Sequence, residues 1–334
     1  MKAYVLHQVG DLRYEDIAMP ECPPGWAIVK VRAAGICSSD IPRVFTKGTY
    51  HFPTIPGHEF SGIVENVGSP ADEYLLGKHV GVFPLIPCGG CEQCQSKHYE
   101  MCSHYDYIGS RRDGAFAEYV AAPVWTLILI DGKIPFFAAA MLEPLSVALH
   151  AIKLGNIKNG IRVGIVGTGM IGIAAGLWAK KMRAREVQIV GRSESKRHIV
   201  EKCGLIYTTQ IGGEFDVVLE AVGTPTAIAS AITLVKPGGT LILMGNPSGD
   251  ILLNQDIYWR ILRKQLHLCG TWNSFYDGKN QSDWTESVVA LASGEMNVLP
   301  LISHTYNQDH LRDGLELMKG KQETYCKVMT LWNE

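Results

Sequence analysis

The sequence has almost no excess of either charge. Its 31 lysines and arginines face 33 aspartates and glutamates, a formal net charge of -2. Such a balance gives no global basic field for a nucleic acid or an anionic membrane surface, and neither is expected as a partner. Long hydrophobic runs are also missing. The longest uncharged stretch, 163–179, is short for a membrane span and is broken by five glycines. The opening residues MKAYVLHQVGDLRYED contain no apolar core and reach acids early, so they are not expected to act as a secretion signal. There is no internal repeat and no low-complexity tract. The nine cysteines are odd in number, and Cys22, Cys37, Cys203, Cys269 and Cys326 are scattered. That usage argues for a reducing, cytoplasmic setting rather than a disulfide scaffold.

The remaining four cysteines form one cluster. Cys88, Cys91, Cys94 and Cys102 lie within PCGGCEQCQSKHYEMC, a C-x2-C-x2-C-x7-C run. Four thiolates in so short a segment match a closed tetrahedral zinc site. An iron–sulfur cluster is the main rival, since it also takes four cysteines, but its usual spacings differ and a proline commonly follows the last cysteine.

At 334 residues the chain is too long for one ordinary core, and two domains are expected. The first third reads as short strands, at 2–6, 27–34, 62–67, 115–120 and 126–130, separated by Gly- and Pro-containing loops. Residues 136–154 have a helical apolar rhythm that Pro144 is expected to interrupt. From 161 onward strands at 161–166, 186–190, 216–220 and 240–244 alternate with helices, which predicts a parallel α/β sheet. A strand near 266–271, helices near 284–292 and 310–318, and a strand at 327–331 complete the chain.

The first of the alternating strands runs directly into Gly167-Thr168-Gly169-Met170-Ile171-Gly172 and then an Ala-rich helix. A GxGxxG between strand and helix fits a dinucleotide site, because the glycines allow a tight turn and let backbone N–H groups approach a pyrophosphate. An acidic residue about 20 residues on would bond the ribose 2′-hydroxyl of NAD. Here the next strand ends in Gly191-Arg192-Ser193, with Lys196 and Arg197 following. Without the carboxylate a 2′-phosphate meets no repulsion, and a guanidinium is at hand to pair with it. NADP(H) is therefore expected in preference to NAD(H). The alternative is a solvated Arg192 and an NAD-linked enzyme. The loops at Val222-Gly223 and Gly245 end later strands and are expected to approach the nicotinamide.

Four further residues offer metal ligands. Cys37 follows a strand in GICSSD, His58 and Glu59 stand in PGHEF, and Glu143 stands in MLEPL. Cys37, His58 and Glu143 together make a three-ligand zinc set with an open position, the arrangement suited to catalysis.

GICSSD, GHEFSGIVENVG, the four-cysteine lobe, EPLSVALHA and GTGMIG follow one another in this order. On these motifs the chain resembles the zinc-containing medium-chain alcohol and polyol dehydrogenases over its full length. Within them it resembles the sorbitol, threonine and galactitol-1-phosphate dehydrogenases, the last especially through IGSRRDGAFAEY, CSSDIPR and ILRK. The resemblance implies a GroES-like catalytic domain over 1–145 and 273–334, a Rossmann domain over 146–272, and an active-site cleft between them. It implies two zinc ions per chain, a catalytic one on Cys37, His58 and Glu143 and a structural one on Cys88, Cys91, Cys94 and Cys102. Glu59 would be a supporting or exchanging ligand, and Ser39 would relay the substrate proton. Hydride would pass between the coenzyme and a secondary alcohol of a polyol or polyol phosphate. A homodimer or homotetramer is expected, with the strand near 266–271 at a subunit edge. One departure concerns the outward proton path: many relatives carry a histidine where this chain has Pro42. Arg43, Arg111 or Arg112 could meet a substrate phosphate, or could form ion pairs within the domain. The alternatives are an NAD-linked sorbitol- or threonine-type enzyme, and a non-catalytic quinone-oxidoreductase-like relative, against which Cys37, His58 and Glu143 count.

Overall fold

The computed structural model describes residues 1–332 except 248, 280 and 322. It contains two compact units, Met1–Glu143 with Phe275–Gly294 and Ile302–Glu334, and Pro144–Ser274 with Glu295–Leu301. The segment 295–301, assigned from the sequence to the catalytic domain, belongs to the second unit. It packs against the helix Arg197–Lys202 and buries Met296, Val298 and Leu301.

The first unit is built on the strand Trp26–Ile36. Only Trp26, Lys30 and Arg32 fall short of full burial, so this central strand is covered on both faces over most of its length. Glu59–Val67 pairs with it antiparallel along most of its length. On the other side Tyr119–Pro123 takes its first half and Lys327–Leu331 its second. Ile302–Asn307, His79–Val82 and Leu127–Leu129 extend the sheet outward. Phe60, Val64, Val80 and Phe116 fill the core. Two sequence expectations shift. The strand expected at 115–120 begins at Tyr119, because the Ala115 and Phe116 amides donate to the carbonyls of Gly57 and Pro56. The strands Asp11–Asp16 and His79–Val82 were not anticipated; the first is mostly polar and the second only four residues long.

The second unit holds a six-stranded parallel sheet. Its order is Ile206–Thr208, Glu186–Val190, Arg162–Val166, Phe215–Glu220, Val235–Leu243 and His267–Gly270. The strand order reverses beside Arg162–Val166, the topological switch point at which doubly wound sheets bind dinucleotides. The helix Leu142–Lys153 runs through Pro144 instead of stopping there. Pro144 lies in the first turn, where the missing N–H has no intrahelical partner to lose; the break comes earlier, between Phe136–Ala139 and Leu142.

Candidate metal centres and dinucleotide cradle

Cys37 leaves the end of the strand Trp26–Ile36 in a tight turn, with the Asp40 amide donating to the Cys37 carbonyl at 3.0 Å. The Cys37 amide donates in return to Asp40 Oδ2 at 2.9 Å. His58 and Glu59 enter at the start of the paired strand, where Gly35 stands opposite Glu59 in register. A side chain at Gly35 would collide with the Glu59 carboxylate, so the glycine makes room for an acid inside the sheet. One ligand atom each of Cys37, His58 and Glu59 lies within 4.8 Å of the other two.

Glu143 is buried but outside that mutual group, and its Oε1 accepts from the Tyr107 hydroxyl at 3.3 Å. Its neighbours are the same. Burial pushes its pKa up to about 8, with His58 opposing and Glu59 and Cys37 adding to the rise. The sequence reading placed Glu143 in the ligand set and Glu59 beside it; the structure gathers Glu59 with Cys37 and His58.

Three supporting residues were not singled out from the sequence. Lys327, buried on the last strand, ion-pairs with Glu59 Oε2 and donates to the Ile36 carbonyl at 3.3 Å. Burial pushes its ammonium pKa down, but the charges of Glu59 and Cys37 outweigh this and hold it above the usual value. Asp40, fully buried, lies 3.6 Å from His58 Nδ1. The Tyr107 ring meets the His58 ring edge-on at 5.6 Å. Only the CSSD and RRDG motifs pointed near two of them; Lys327 lies outside every motif.

The donor set tests well against zinc. Thiol, imidazole and carboxylate converge, and His58 Nδ1 is buried with no hydrogen-bond partner. Zinc accepts such a mixture and leaves a position open when three protein ligands hold it.

The four-cysteine lobe tests equally well. The strands Leu85–Ile86 and Asp106–Tyr107 pair at its base and close the loop. Sulfur–sulfur distances are 3.4 Å for Cys91–Cys94 and 3.9 Å for both Cys88–Cys94 and Cys91–Cys102. A tetrahedron with Zn–S bonds of about 2.3 Å has edges of about 3.8 Å, whereas a disulfide would bring sulfurs to about 2.05 Å. All four thiols are free. The backbone N–H of Cys94, and then its side chain, draw the Cys91 thiol down to about 6, so one thiolate is present near neutrality.

In the second unit the glycine turn joins Arg162–Val166 to the helix Met170–Lys181. Gly167 sits at φ +128, a conformation that side chains disfavour, and a side chain at Gly172 would run into the Gly167 carbonyl. Gly169 is different: a Cβ there would meet nothing within 4 Å. The fold itself does not demand that glycine, and the open space lies at the N-terminus of Met170–Lys181, where the amides of Met170 and Ile171 begin the helix. A helix N-terminus beside such a gap suits a pyrophosphate, so the residues fit the coenzyme. Thr168 completes this turn. At the neighbouring strand ends Glu220 Oε1 accepts from the Val222 and Gly223 amides at 2.8 Å each. Gly223, at φ +83, packs so closely on Gly245 that neither position admits a side chain.

Gly191 ends the second strand. A Cβ there would lie 2.7 Å from Cζ of Tyr207 and closer still to its hydroxyl. Tyr207 is buried, and its hydroxyl donates to the Ser193 carbonyl. Arg192 and Ser193 are exposed, and Arg192 forms no ion pair among the described residues. Arg197, offered from the sequence as a second phosphate contact, pairs instead with Glu194 and, at 3.0 Å, with Glu201, over the Tyr207 ring. Arg43 likewise is engaged. It donates to Ser39 Oγ at 2.7 Å and to Asp40 Oδ1 at 3.2 Å. Arg112 pairs with Asp106.

Comparison with known proteins agrees with this geometry. Residues 23–132 match the family model of the alcohol dehydrogenase GroES-like domain, and residues 171–294 match that of zinc-binding dehydrogenases. Galactitol 1-phosphate 5-dehydrogenase of Escherichia coli (strain K12) is 31% identical over 319 residues, covering 91% of this chain and 92% of that protein. The crystal structure of galactitol-1-phosphate dehydrogenase from Escherichia coli superposes with a TM-score of 0.91 at 29% identity, over 99% of this chain and 100% of that one. A Sinorhizobium meliloti 1021 protein solved bound to NADP superposes with a TM-score of 0.89 at 28% identity, over 99% and 98% of the two chains.

Proposed function

Because the chain belongs to the zinc-containing medium-chain alcohol and polyol dehydrogenases, we propose that it moves a hydride between NADP(H) and a secondary alcohol of a polyol phosphate. The observation that carries the chemistry is the convergence of Cys37, His58 and Glu59 on one point in the first unit.

Cys37 Sγ, a ring nitrogen of His58 and the Glu59 carboxylate would hold the catalytic ion, with Glu143 near enough to exchange in. Zinc held there would supply Lewis acidity to the substrate oxygen. Lys327 balances the negative charge that Glu59 and Cys37 bring into the interior. Ser39 Oγ accepts from Arg43 and its hydroxyl lies against the Cys37 thiol; from there its proton would be given toward a substrate oxygen and regained. With Pro42 where a relay histidine could stand, the next carrier from Ser39 is water. Cys88, Cys91, Cys94 and Cys102 would hold a second, structural zinc. The backbone of Gly167–Gly172 would take the pyrophosphate, Arg192 and Ser193 the 2′-phosphate.

Three things support NADP(H): the absent carboxylate at Gly191, an Arg192 that forms no ion pair among the described residues, and the NADP-bound Sinorhizobium relative. The phosphorylated substrate rests on the likeness to the Escherichia coli galactitol 1-phosphate enzyme. An unphosphorylated polyol is the second reading, favoured by the internal pairing of Arg43 and Arg112. The outer strand His267–Gly270 exposes Leu268 beside the exposed Trp272, and apolar groups on a free sheet edge favour pairing of subunits into a dimer or tetramer. The free thiols suit the cytoplasm.

Metal analysis together with a panel of polyols and polyol phosphates, run with both coenzymes, tests this reading. Two zincs per chain, inactivation by chelation and higher kcat/KM with NADP and a polyol phosphate are expected. Undiminished oxidation after complete chelation would overturn it.

A further inference from the structure

The loop that packs on His58 carries a guanidinium with no anionic partner among the described residues. Residues 105–114 are locked onto Gly57, the residue before His58. Gly109, at φ +83, and Gly114 both approach Gly57 too closely for any side chain, and the Ala115 amide donates to its carbonyl at 2.9 Å. From this loop Tyr107 reaches His58 and Glu143. Arg111 rises from the same turn, its amide donating to the Tyr107 carbonyl at 2.9 Å.

The Arg111 guanidinium lies between two aromatic rings, with its carbon 4.2 Å from the Tyr50 centroid and 4.4 Å from that of Tyr105. Nη1 donates to the Tyr105 carbonyl at 2.8 Å. Nε is buried and has no acceptor. Among the described residues no carboxylate pairs with this side chain, in contrast to Arg43 and Arg112 nearby. A fixed charge stripped of water on both faces is costly to hold without an anion. Aromatic stacking orients the guanidinium plane. With Nη1 engaged, the Nε–Nη2 edge is the side left to offer two parallel N–H donors, the geometry that receives a phosphate. Tyr50 is 69% exposed, so the clamp stands at the protein surface, where a phosphate can approach it. Two further ring contacts, Tyr105 to Tyr107 at 6.1 Å and Tyr107 to His58 at 5.6 Å, connect the clamp to the metal group.

We propose that Arg111, held between Tyr50 and Tyr105, binds the phosphate of a phosphorylated polyol whose reacting alcohol sits at the Cys37–His58–Glu59 group. This rests on the polyol-phosphate reading above and assigns the residue that enforces it.

The test compares kcat/KM for a polyol phosphate and for the same free polyol, in the zinc-loaded wild type, Arg111→Gln and Arg111→Lys. Competitive inhibition by inorganic phosphate and the Kd for NADP are measured alongside. In the wild type the phosphorylated substrate is preferred. Arg111→Gln lowers the phosphorylated-to-free ratio by about 10- to 100-fold, chiefly through KM, the loss expected for a charge-assisted bond. It also abolishes phosphate inhibition, and leaves the Kd for NADP as it was. Arg111→Lys restores part of the ratio, because it keeps the charge and loses the fork. Should the glutamine variant fold poorly, Tyr50→Leu removes one wall from the surface and weakens phosphate inhibition. A wild-type preference that survives Arg111→Gln intact overturns the assignment of Arg111 and leaves the substrate reading standing. A wild type with no preference for the phosphorylated polyol overturns that reading, and the clamp with it.

Discussion

Tyr207 occupies the space that any side chain at Gly191 would need, its ring carbon Cζ only 2.7 Å from where a Cβ would stand. The acidic residue that would hold an NAD ribose is therefore excluded by packing as well as by sequence. Tyr207 cannot easily yield: it is buried, bonded to the Ser193 carbonyl and covered by Arg197. Gly191→Asp alone should lower stability by about 1–3 kcal/mol through overpacking, weaken NADP binding and fail to give tight NAD binding. Gly191→Asp with Tyr207→Val should recover stability and bind NAD better than the single variant. Thermal unfolding and Kd values for both coenzymes check this; tight NAD binding by the single variant would contradict it.

Glu59 and Lys327 form a buried ion pair beside the ligand group. Removing one partner leaves an uncompensated charge in the interior. Lys327→Met should cost about 3–5 kcal/mol and reduce zinc retention, while Lys327→Arg should cost less on both counts. Thermal melts and zinc content of the purified variants decide it. Retention of stability and zinc in the methionine variant would show that Glu59 does not depend on the lysine.

Ser39 carries the proposed proton transfer, with Arg43 on one of its lone pairs. Ser39→Ala should lower kcat by about 10²- to 10⁴-fold, the range for a lost acid–base step, with zinc content and coenzyme Kd preserved. Steady-state rates beside metal analysis provide the measurement. Full turnover in this variant would remove the relay role.

The cysteine lobe should behave as a self-contained metal knot. Cys94→Ser should reduce zinc from two ions to one and lower the melting temperature, while dinucleotide binding by the second unit persists. Zinc uptake by the metal-free protein should release protons and tighten as pH rises, because burial holds the Cys94 thiol up to about 12 and a ligand must be thiolate. Spectroscopic zinc titrations between pH 6 and 9 test the sign.

Much of this site was legible because its chemistry is local. Four sulfurs within one short loop, or three glycines between a strand and a helix, specify their geometry through spacing alone. Register was harder to read. Glu59 could be named, but not its place among the ligands, since that depends on which side of Gly35 its carboxylate enters. The strand expected at 115–120 slid toward Tyr119 because Ala115 and Phe116 give their amides to Pro56 and Gly57, a competition that alternation of side chains does not reveal. Arg43, Arg111 and Arg112 looked alike in the sequence; burial and partners separated them.

By itself the sequence determined the two-part architecture, the clustering of four cysteines, the glycine turn between strand and helix and the absence of an acid at Gly191. These depend on residues a few positions apart, where the chain's own stiffness sets the geometry. Tertiary structure alone decided that Lys327 answers Glu59 across 268 residues, that Tyr207 closes Gly191, and that Arg111 stands between Tyr50 and Tyr105. Such contacts arise from strand pairing such as Val328 opposite Ile36 and from loop docking. Both are set by the packing of the whole core, which no local pattern encodes.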